Sequence, residues 1–192
     1  SRLDEKPPGR TRIDTRVMPL DRINNIIDAT RRAIAGGSRV YWVCPLIEES
    51  EVLDLAAAEE RYTHLVHIFK ERVGLVHGKM KAKQKDLVMK SFKEGTIDII
   101  VSTTVIEVGV HVPEATVMII EHAERFGLSQ LHQLRGRVGR GETKSSCILL
   151  YGTLGKKAEA RLRIMRETDD GFIIAEEDLK LRGAGELLGT RQ

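Results

Sequence analysis

IDIIVSTTVIEVGVHVPEATVMIIE, residues 97–121, contains two short apolar runs, IDIIVS (97–102) and TVMIIE (116–121), of the kind that form strands buried on both faces of a sheet. Comparable runs occur elsewhere in the chain: VYWVCPLI (40–47), RVGLVH (72–77) and SCILLY (146–151). Between the runs, apolar residues recur at helical spacing over 21–35, 51–70 and 81–94. This alternation predicts an α/β fold in which a mostly parallel sheet lies between two layers of helices. In the last of these helices we expect Leu87, Val88 and Phe92 on the buried face.

Composition narrows the class of protein. The chain has 192 residues, of which 41% are hydrophobic and 31% charged, as in an ordinary globular protein. Its net charge of +3 is too small to indicate nucleic-acid binding, so local clusters of charge must carry any such inference. Cys44 and Cys147 belong to no paired motif, which suits a reducing cytosol and argues against structural zinc. No apolar run approaches the roughly 20 residues that a membrane-spanning helix needs.

Changes in the residue pattern along the chain predict three segments. The opening SRLDEKPPGR is turn-like, and we expect 1–12 to be a linker from an upstream domain. The alternating region, 13–152, is predicted to be the sheet domain. Residues 153–192 are predicted to form helix, turn and helix, an appendage packed on that domain, in which only GFIIA (171–175) resembles a strand.

Some common site patterns are absent from the sequence. It contains no G-x-x-x-x-G-K-[ST] loop, so we expect no phosphate cradle of backbone N–H groups within this chain. The tail GAGELLG (183–189) is one residue too long for a dinucleotide motif and follows a charged helix instead of a strand. Four histidines lack the accompanying ligands of a metal site, and we expect none: His64, His67, His122 and His132.

QLRGRVGRG, residues 133–141, concentrates three arginines and three glycines. Arg137 and Arg140 are three residues apart across a turn that contains glycine, so both side chains can point the same way. Two guanidinium groups aimed at one place suit a polyphosphate whose negative charge grows as a bond breaks. The alternative is that these arginines are ordinary surface residues, paired with Glu121, Glu124 or Glu142.

Four stretches together resemble the motifs of superfamily 2 helicases. Q-x-x-G-R-x-G-R within 133–140 resembles motif VI, and VSTTVIEVGVHVP (101–113) resembles motif V. VHGKM (76–80) resembles the motif between IV and V, and YWVCPLIEES (41–50) resembles motif IV. All four occur in the family's order, and we expect each at or just beyond the carboxyl end of a strand. The closing LKLRGAGELLGTRQ (179–192) resembles a translocation motif that helicases of branched DNA share with transcription-repair coupling translocases.

The resemblance covers essentially the whole chain and implies the second RecA-like domain of a helicase that remodels stalled replication forks. Arg137 and Arg140 would then be arginine fingers, with Gln133 supporting the same cleft. They would reach ATP and Mg²⁺ held mainly by an upstream RecA-like domain. Gly136 and Gly139 would let the loop approach that domain closely.

The resemblance assigns further residues to the nucleotide and to DNA. On the nucleotide side it implies Glu107, Gly109 and His111, and His111 stands where the family usually has an acidic residue associated with the ribose. On the DNA side it implies His77, Gly78, Lys79, Thr103 and Thr104. In the translocation motif it implies Arg182, Glu186, Arg191 and Gln192.

We therefore expect a parent protein that hydrolyses ATP and remodels forks and Holliday junctions in the bacterial cytosol, at the nucleoid. Its expected partners are branched DNA and, within the same polypeptide, the upstream RecA-like domain and a DNA-binding wedge domain, with no membrane contact. This chain alone is expected to be inactive. Two alternatives remain: a double-stranded DNA translocase of the transcription-repair coupling class, and a non-catalytic binding module that retains the fold.

Overall fold

A parallel six-stranded sheet forms the centre of the protein in the computed structural model, which describes residues 13–45, 51–103 and 112–187. The strand order is β1-β6-β5-β2-β4-β3. The strands are β1 (Ile13–Pro19), β2 (Arg39–Val43), β3 (Val73–Val76), β4 (Ile99–Ser102), β5 (Ala115–Ile120) and β6 (Ser145–Tyr151). The parallel sheet predicted from the sequence is confirmed.

Helices cover both faces of the sheet. They are α1 (Ile23–Ala35), α2 (Glu51–Phe69), α3 (Ala82–Glu94), α4 (Leu128–Arg135), α5 (Lys156–Glu167) and α6 (Gly171–Leu187). On one face, α1 and α2 bury Ile26, Ile27 and Leu65 against Trp42 and its neighbours in the sheet. The other four helices pack on the opposite face. The three-layer αβα architecture is therefore confirmed.

The edge strand β1 was not predicted. Its sequence, IDTRVMP, mixes charged and apolar residues, and only Ile13 and Thr15 are buried. Of the described strands, β1 pairs only with β6, so part of its surface faces solvent and needs no continuous apolar run.

Helix α3 turns a different face to the core than predicted. Leu87 is 62% exposed, whereas Met89 and Phe92 are fully buried and Val88 packs against them. At about 100° per residue, Leu87 lies roughly 140° around the helix from Phe92. The expectation for Leu87 was therefore wrong, and that for Val88 and Phe92 is confirmed.

Helices α5 and α6 form the predicted helical hairpin. GFIIA lies in α6, where Ile174 is 2% exposed and Phe172 is 87% exposed. Leu162 and Met165 of α5 and Ile174 of α6 belong to the same buried apolar cluster as residues of α4. The hairpin therefore packs closely on the sheet domain. A domain boundary at residue 152 stays a prediction. Within the described ranges, no helix is both long and apolar enough to cross a membrane.

The connections place the loops at two edges of the sheet. Because all six strands are parallel, the loops that follow them share the carboxyl edge, and the loops that precede them share the amino edge. The chain leaves β2 through α2 towards β3, and it leaves β5 through α4 towards β6 on the opposite side. The carboxyl ends of β2 and β5 therefore flank a topological switch point, where open sheets of this kind bind ligands.

Candidate nucleotide and DNA interface

The three arginines of QLRGRVGRG have different environments. Arg135, the last residue of α4, is only 2% exposed, whereas Arg137 is half-buried and Arg140 is exposed. Nη1 of Arg135 donates hydrogen bonds to Oγ1 of Thr15 (3.1 Å) and to the carbonyl oxygen of Met165, and Nη2 donates to the carbonyl oxygen of Thr168 (2.9 Å). Arg135 therefore holds secondary structure together, and only the other two arginines of the stretch are available to a partner.

The buried charge of Arg135 has a physical explanation. Its two carbonyl acceptors belong to the last turn of α5 and to the residue that caps it, where carbonyl groups lack partners within the helix. The negative end of the helix dipole also favours a cation there. Burial lowers the pKa of Arg135, but arginine keeps its charge in proteins.

Arg137 and Arg140 lie in a tight loop after α4. Val138 in the middle of the loop is fully buried, and Nε of Arg140 donates to the carbonyl oxygen of Gly136 (3.1 Å). Burial raises the pKa of Tyr41 in β2, and the positive charges of both Arg137 and Arg140 oppose that rise. Tyr41 and Val138 belong to one apolar cluster, so the arginine loop packs on the face of the sheet that carries Tyr41.

Of the three carboxylates proposed as alternative partners, Glu121 and Glu124 are engaged elsewhere, and Glu142 is exposed. Glu121 accepts hydrogen bonds from Arg61 and from Nε1 of Trp42 (2.6 Å). Glu124 accepts from the backbone N–H of Gly152 and contacts His122. Among the residues that the structure describes, no carboxylate forms an ion pair with Arg137 or Arg140. Gln133 is likewise exposed, one turn earlier on α4.

The loop that carries these arginines lies at the amino edge of the sheet. It precedes β6, and a Cβ atom added at Gly141 would lie 3.8 Å from the carbonyl oxygen of Pro113, just before β5. The expectation that every motif lies near the carboxyl end of a strand was therefore wrong for this one. The physical reason is α4, which carries the chain back across the sheet before the arginines occur.

Only one of the two motif glycines has a conformation that requires glycine. Gly139 has φ of 77°, in the left-handed region that side chains disfavour. Gly136 has φ of −66° and ψ of −8°, and a Cβ there would meet helix carbonyl oxygens at an ordinary 3.4 Å. Gly139 therefore shapes the turn between Arg137 and Arg140, and Gly136 has room for a side chain.

The predicted DNA-contacting residues that the structure describes meet at the carboxyl edge. The backbone N–H of Thr103, after β4, donates to the carbonyl oxygen of Val76 at the end of β3 (3.3 Å). His77, Gly78 and Lys79 follow directly, and Gly78 and Lys79 are exposed. The backbone N–H of Lys79 donates to Nδ1 of His77 (3.2 Å), so a neutral His77 ring carries its proton on Nε2. The two adjacent strand ends thus bring these four residues together.

A crevice of about 490 Å³ lies at the switch point between β2 and β5. Its floor is a buried cluster in which Arg61 of α2 forms a bidentate ion pair with Glu121, and Nη1 of Arg61 lies 2.8 Å from Nδ1 of His64. The thiol of Cys44 borders the same carboxylate, and burial, together with the charge of Glu121, raises its pKa. Sequence reasoning missed this cluster, because Arg61 and Glu121 are 60 residues apart.

The hairpin contributes a second cluster, centred on Asp178 of α6. Its Oδ2 accepts hydrogen bonds from Arg182 (2.8 Å) and from the hydroxyl of Ser129 in α4 (3.3 Å). Burial lowers the pKa of Arg161 in α5, and the negative charge of Asp178 opposes that shift. Nη2 of Arg161 donates a hydrogen bond to the carbonyl oxygen of Glu124 (2.9 Å). Arg182 was predicted as a site residue, but Asp178 and Arg161 were not. The sequence pattern that could have singled out Arg161 is its helical spacing from Ala158 and Met165, which are both buried.

Several predicted site residues lie outside the described residues: Thr104, Glu107, Gly109, His111, Arg191 and Gln192. Glu186 lies in α6, but its side chain is not described. Their predicted roles are neither supported nor contradicted by the geometry.

The parallel sheet between two layers of helices defines a class of fold, the RecA-like domain. The sequence model of the helicase conserved C-terminal domain matches residues 21–142, more than half of the chain, so the chain belongs to that family. Within it, the chain is 57% identical to the ATP-dependent DNA helicase RecG of Acidithiobacillus ferridurans over 99% of its own length. It spans only 28% of the length of that relative.

Solved structures agree. RecG bound to a three-way DNA junction superposes with a TM-score of 0.79 and 48% identity, covering 95% of this chain and 24% of the other. The C-terminal domain of the DEAD-box protein Dbp5 superposes with a TM-score of 0.56 at 18% identity, covering 88% of this chain and 97% of the other. The second likeness supports the fold alone.

Proposed function

We propose that this chain is the second motor domain of an ATP-dependent DNA helicase that remodels branched DNA, namely replication forks and Holliday junctions. The observation that carries the proposal is the pair Arg137 and Arg140, held on one loop without a described carboxylate partner. The similarity to RecG, one example of which is bound to a three-way DNA junction, supports DNA as the substrate.

In this proposal the two arginines act on a nucleotide that another RecA-like domain binds. The chain has no phosphate-binding loop, so ATP and Mg²⁺ are held mainly by that partner domain of the same polypeptide. Arg137 and Arg140 stabilise the negative charge that develops on the transferred phosphoryl group, and Gln133 supports the same cleft. The isolated chain is then inactive, because it supplies only half of the site.

DNA lies along the carboxyl edge in the same proposal. Lys79 and the Nε2–H of His77 donate to backbone phosphates, and the hydroxyl groups of Thr103 and Thr104 extend the contact. Contacts of this type hold a strand without reading its sequence, as remodelling of arbitrary forks requires. Gly78 leaves open space above its backbone for a phosphate to approach.

The remaining predicted residues keep subsidiary roles. Glu107, Gly109 and His111 connect the nucleotide side to the DNA side, and a histidine at 111 can donate a hydrogen bond to a ribose hydroxyl but supplies no carboxylate. Arg182, Glu186, Arg191 and Gln192 belong to the translocation motif. A wedge domain of the same polypeptide meets the DNA junction, and the protein works in the bacterial cytosol, at the nucleoid.

A strand-remodelling assay with the full-length protein tests the proposal. The substrates are a model replication fork, a Holliday junction and a linear duplex of equal length, each with and without ATP. We expect ATP-dependent conversion of both branched substrates and little change in the linear duplex. Equal ATP use on linear duplex, without remodelling, would instead indicate a translocase of the transcription-repair coupling class.

A further inference from the structure

Helix α3 and the loop before it carry more positive charge than the proposed contacts use. Residues 77–93 contain six lysines and one carboxylate, whereas the net charge of the whole chain is +3. The loop of His77 and Lys79 follows β3 at the carboxyl edge, and α3 then runs back across β3 and β4 to the amino edge. The charge therefore extends from the proposed DNA edge over one flank of the domain. This flank lies at the opposite end of the sheet from β1, on which α5 packs.

The start of α3 is tied to the loop. The backbone N–H of Met80 donates to the carbonyl oxygen of His77 (3.2 Å). The side chain of Gln84 accepts from the backbone N–H of Lys81 (3.2 Å), and the backbone N–H of Gln84 donates to the carbonyl oxygen of Lys81 (2.9 Å). The loop and the first turn of α3 are therefore one unit, so DNA held at Lys79 has a fixed position relative to the helix.

The side of α3 that faces away from the sheet carries Lys83, Leu87 and Lys90. At about 100° per residue, these three lie within roughly 60° of one another, on the side opposite Phe92. Phe92 is fully buried, whereas both lysines are exposed and Leu87 is 62% exposed. At about 1.5 Å of rise per residue, Lys83 and Lys90 are roughly 10 Å apart along the axis. This separation is comparable with the width of a DNA groove, about 6–12 Å.

The two lysines on this face form no ion pair within the described ranges. Asp86 lies three residues after Lys83 and four before Lys90, the separations at which side chains of a helix pair. It nevertheless pairs with neither of them, whereas Lys180 of α6 pairs with Glu177 at 3.3 Å. Unpaired like charges along one exposed face are suited to an extended polyanion.

Resting on the proposed function, we propose that Lys83 and Lys90 bind the phosphate backbone of a duplex arm of the branched substrate, continuing the contact at Lys79. A single strand fits less well, because the one aromatic residue of α3, Phe92, is buried and no ring is offered to an unstacked base. An acidic protein fits less well too. The residues three and four positions from Leu87 are all polar, whereas protein interfaces rely on clustered apolar anchors.

The salt dependence of DNA binding by the full-length protein tests this proposal. The ligands are a fork whose arms are all duplex and a single strand of one of its sequences, each followed by fluorescence anisotropy. Lys83→Ala/Lys90→Ala should reduce the slope of log affinity against log salt by about 2 on the fork and leave it native on the single strand. The affinity deficit on the fork should shrink about tenfold between about 50 and 200 mM salt. A native slope on the fork, or equal reductions on both DNAs, would overturn the proposal.

Two further double variants are the controls. Arg32→Ala/Lys70→Ala removes two exposed positive charges from the opposite face of the domain and should leave the slope native. Lys83→Arg/Lys90→Arg keeps both charges and should retain the native slope. An equal reduction in the Arg32/Lys70 variant would show that total charge alone matters, which would overturn the proposal.

Failure of this inference is distinguishable from failure of the proposed function. If the native protein neither binds nor remodels branched DNA, the proposed function fails. If the native protein remodels forks and Lys83→Ala/Lys90→Ala keeps the native salt dependence, only the role of α3 fails.

Discussion

Arg135, at the end of α4, donates a 2.9 Å hydrogen bond to the carbonyl oxygen of Thr168, the residue that caps α5. This contact joins two stretches that the sequence places 33 residues apart. It separates the arginines of QLRGRVGRG by role, because Arg135 is committed within the domain while Arg137 and Arg140 remain available.

The turn between the two available arginines should depend on Gly139. Gly139→Ala places a side chain at φ of 77°, which costs about 1–2 kcal/mol of unfolding free energy. Gly136→Ala is the control, with an unfolding free energy within about 1 kcal/mol of native because its backbone is already helical. Denaturant unfolding of the chain measures both. Equal effects would show that the left-handed turn is not a constraint.

Lys79 and Gly78 should contribute to DNA binding and not to folding. Lys79→Ala should weaken binding of fork DNA by the full-length protein and reduce the slope of log affinity against log salt by about 1. Gly78→Ala should bind less tightly at unchanged thermal stability, because, apart from its chain neighbours, no described residue has an atom within 4 Å of an added Cβ. Fluorescence anisotropy over a salt series measures both effects. Lys70→Ala is the control and should leave the slope unchanged, because Lys70 lies just before the amino end of β3.

The crevice cluster should be a strong determinant of stability. Glu121→Gln leaves Arg61 without its buried counter-ion and should lower the unfolding free energy by about 3 kcal/mol. Glu60→Gln, an exposed neighbour on α2, should change it by less than about 0.5 kcal/mol. Trp42, the chain's one tryptophan, donates to Glu121, so its fluorescence reports the unfolding transition. Equal losses of unfolding free energy in the two variants would mean that the ion pair between Arg61 and Glu121 makes no specific contribution to stability.

Both cysteines should be protected in the native state. Burial raises the pKa of Cys147 from 9.0 to about 12, and it also raises that of Cys44. A thiol-specific chromogenic reagent at pH 8 should therefore react with neither until denaturant is added.

Since the raised pKa favours the neutral thiol in the folded state, its stabilising effect is complete below about pH 9. It is lost between there and pH 12 at up to about 1.4 kcal/mol per pH unit for each thiol. Rapid native labelling or pH-independent stability over that window would contradict this account.

Periodicity was sufficient to predict the three layers, because buried parallel strands such as β4 and β5 are continuous apolar runs. It could not predict β1, whose edge position permits Asp14 and Arg16. Motif resemblance singled out the arginine loop and the residues that lie at the carboxyl edge, but the edge it implied for the arginine loop was wrong. The motif assigns roles to Arg137 and Arg140 and none to Arg135, which continues the helical spacing of the buried Leu128 and Leu131 and so occupies a core position.

Contacts between distant segments were beyond the reach of sequence patterns. The pairing of Arg61 with Glu121, and of Ser129 with Asp178, depends on how whole helices pack, and local spacing carries no record of that packing. The edge assignment of the arginine loop likewise needed the course of α4. The motif resemblance thus named residues but did not give their position in the fold.

The most direct test of the central claim is the ATP turnover of the full-length protein on fork DNA, compared between native protein, Arg137→Ala and Arg163→Ala. Arg163 is an exposed arginine of α5 and serves as the control for loss of one positive charge. The account predicts that Arg137→Ala lowers turnover by about 10³-fold or more, as for loss of an arginine finger, at unchanged thermal stability, while Arg163→Ala stays near native. Turnover that is indifferent to Arg137→Ala would contradict the claim that this loop acts on the nucleotide.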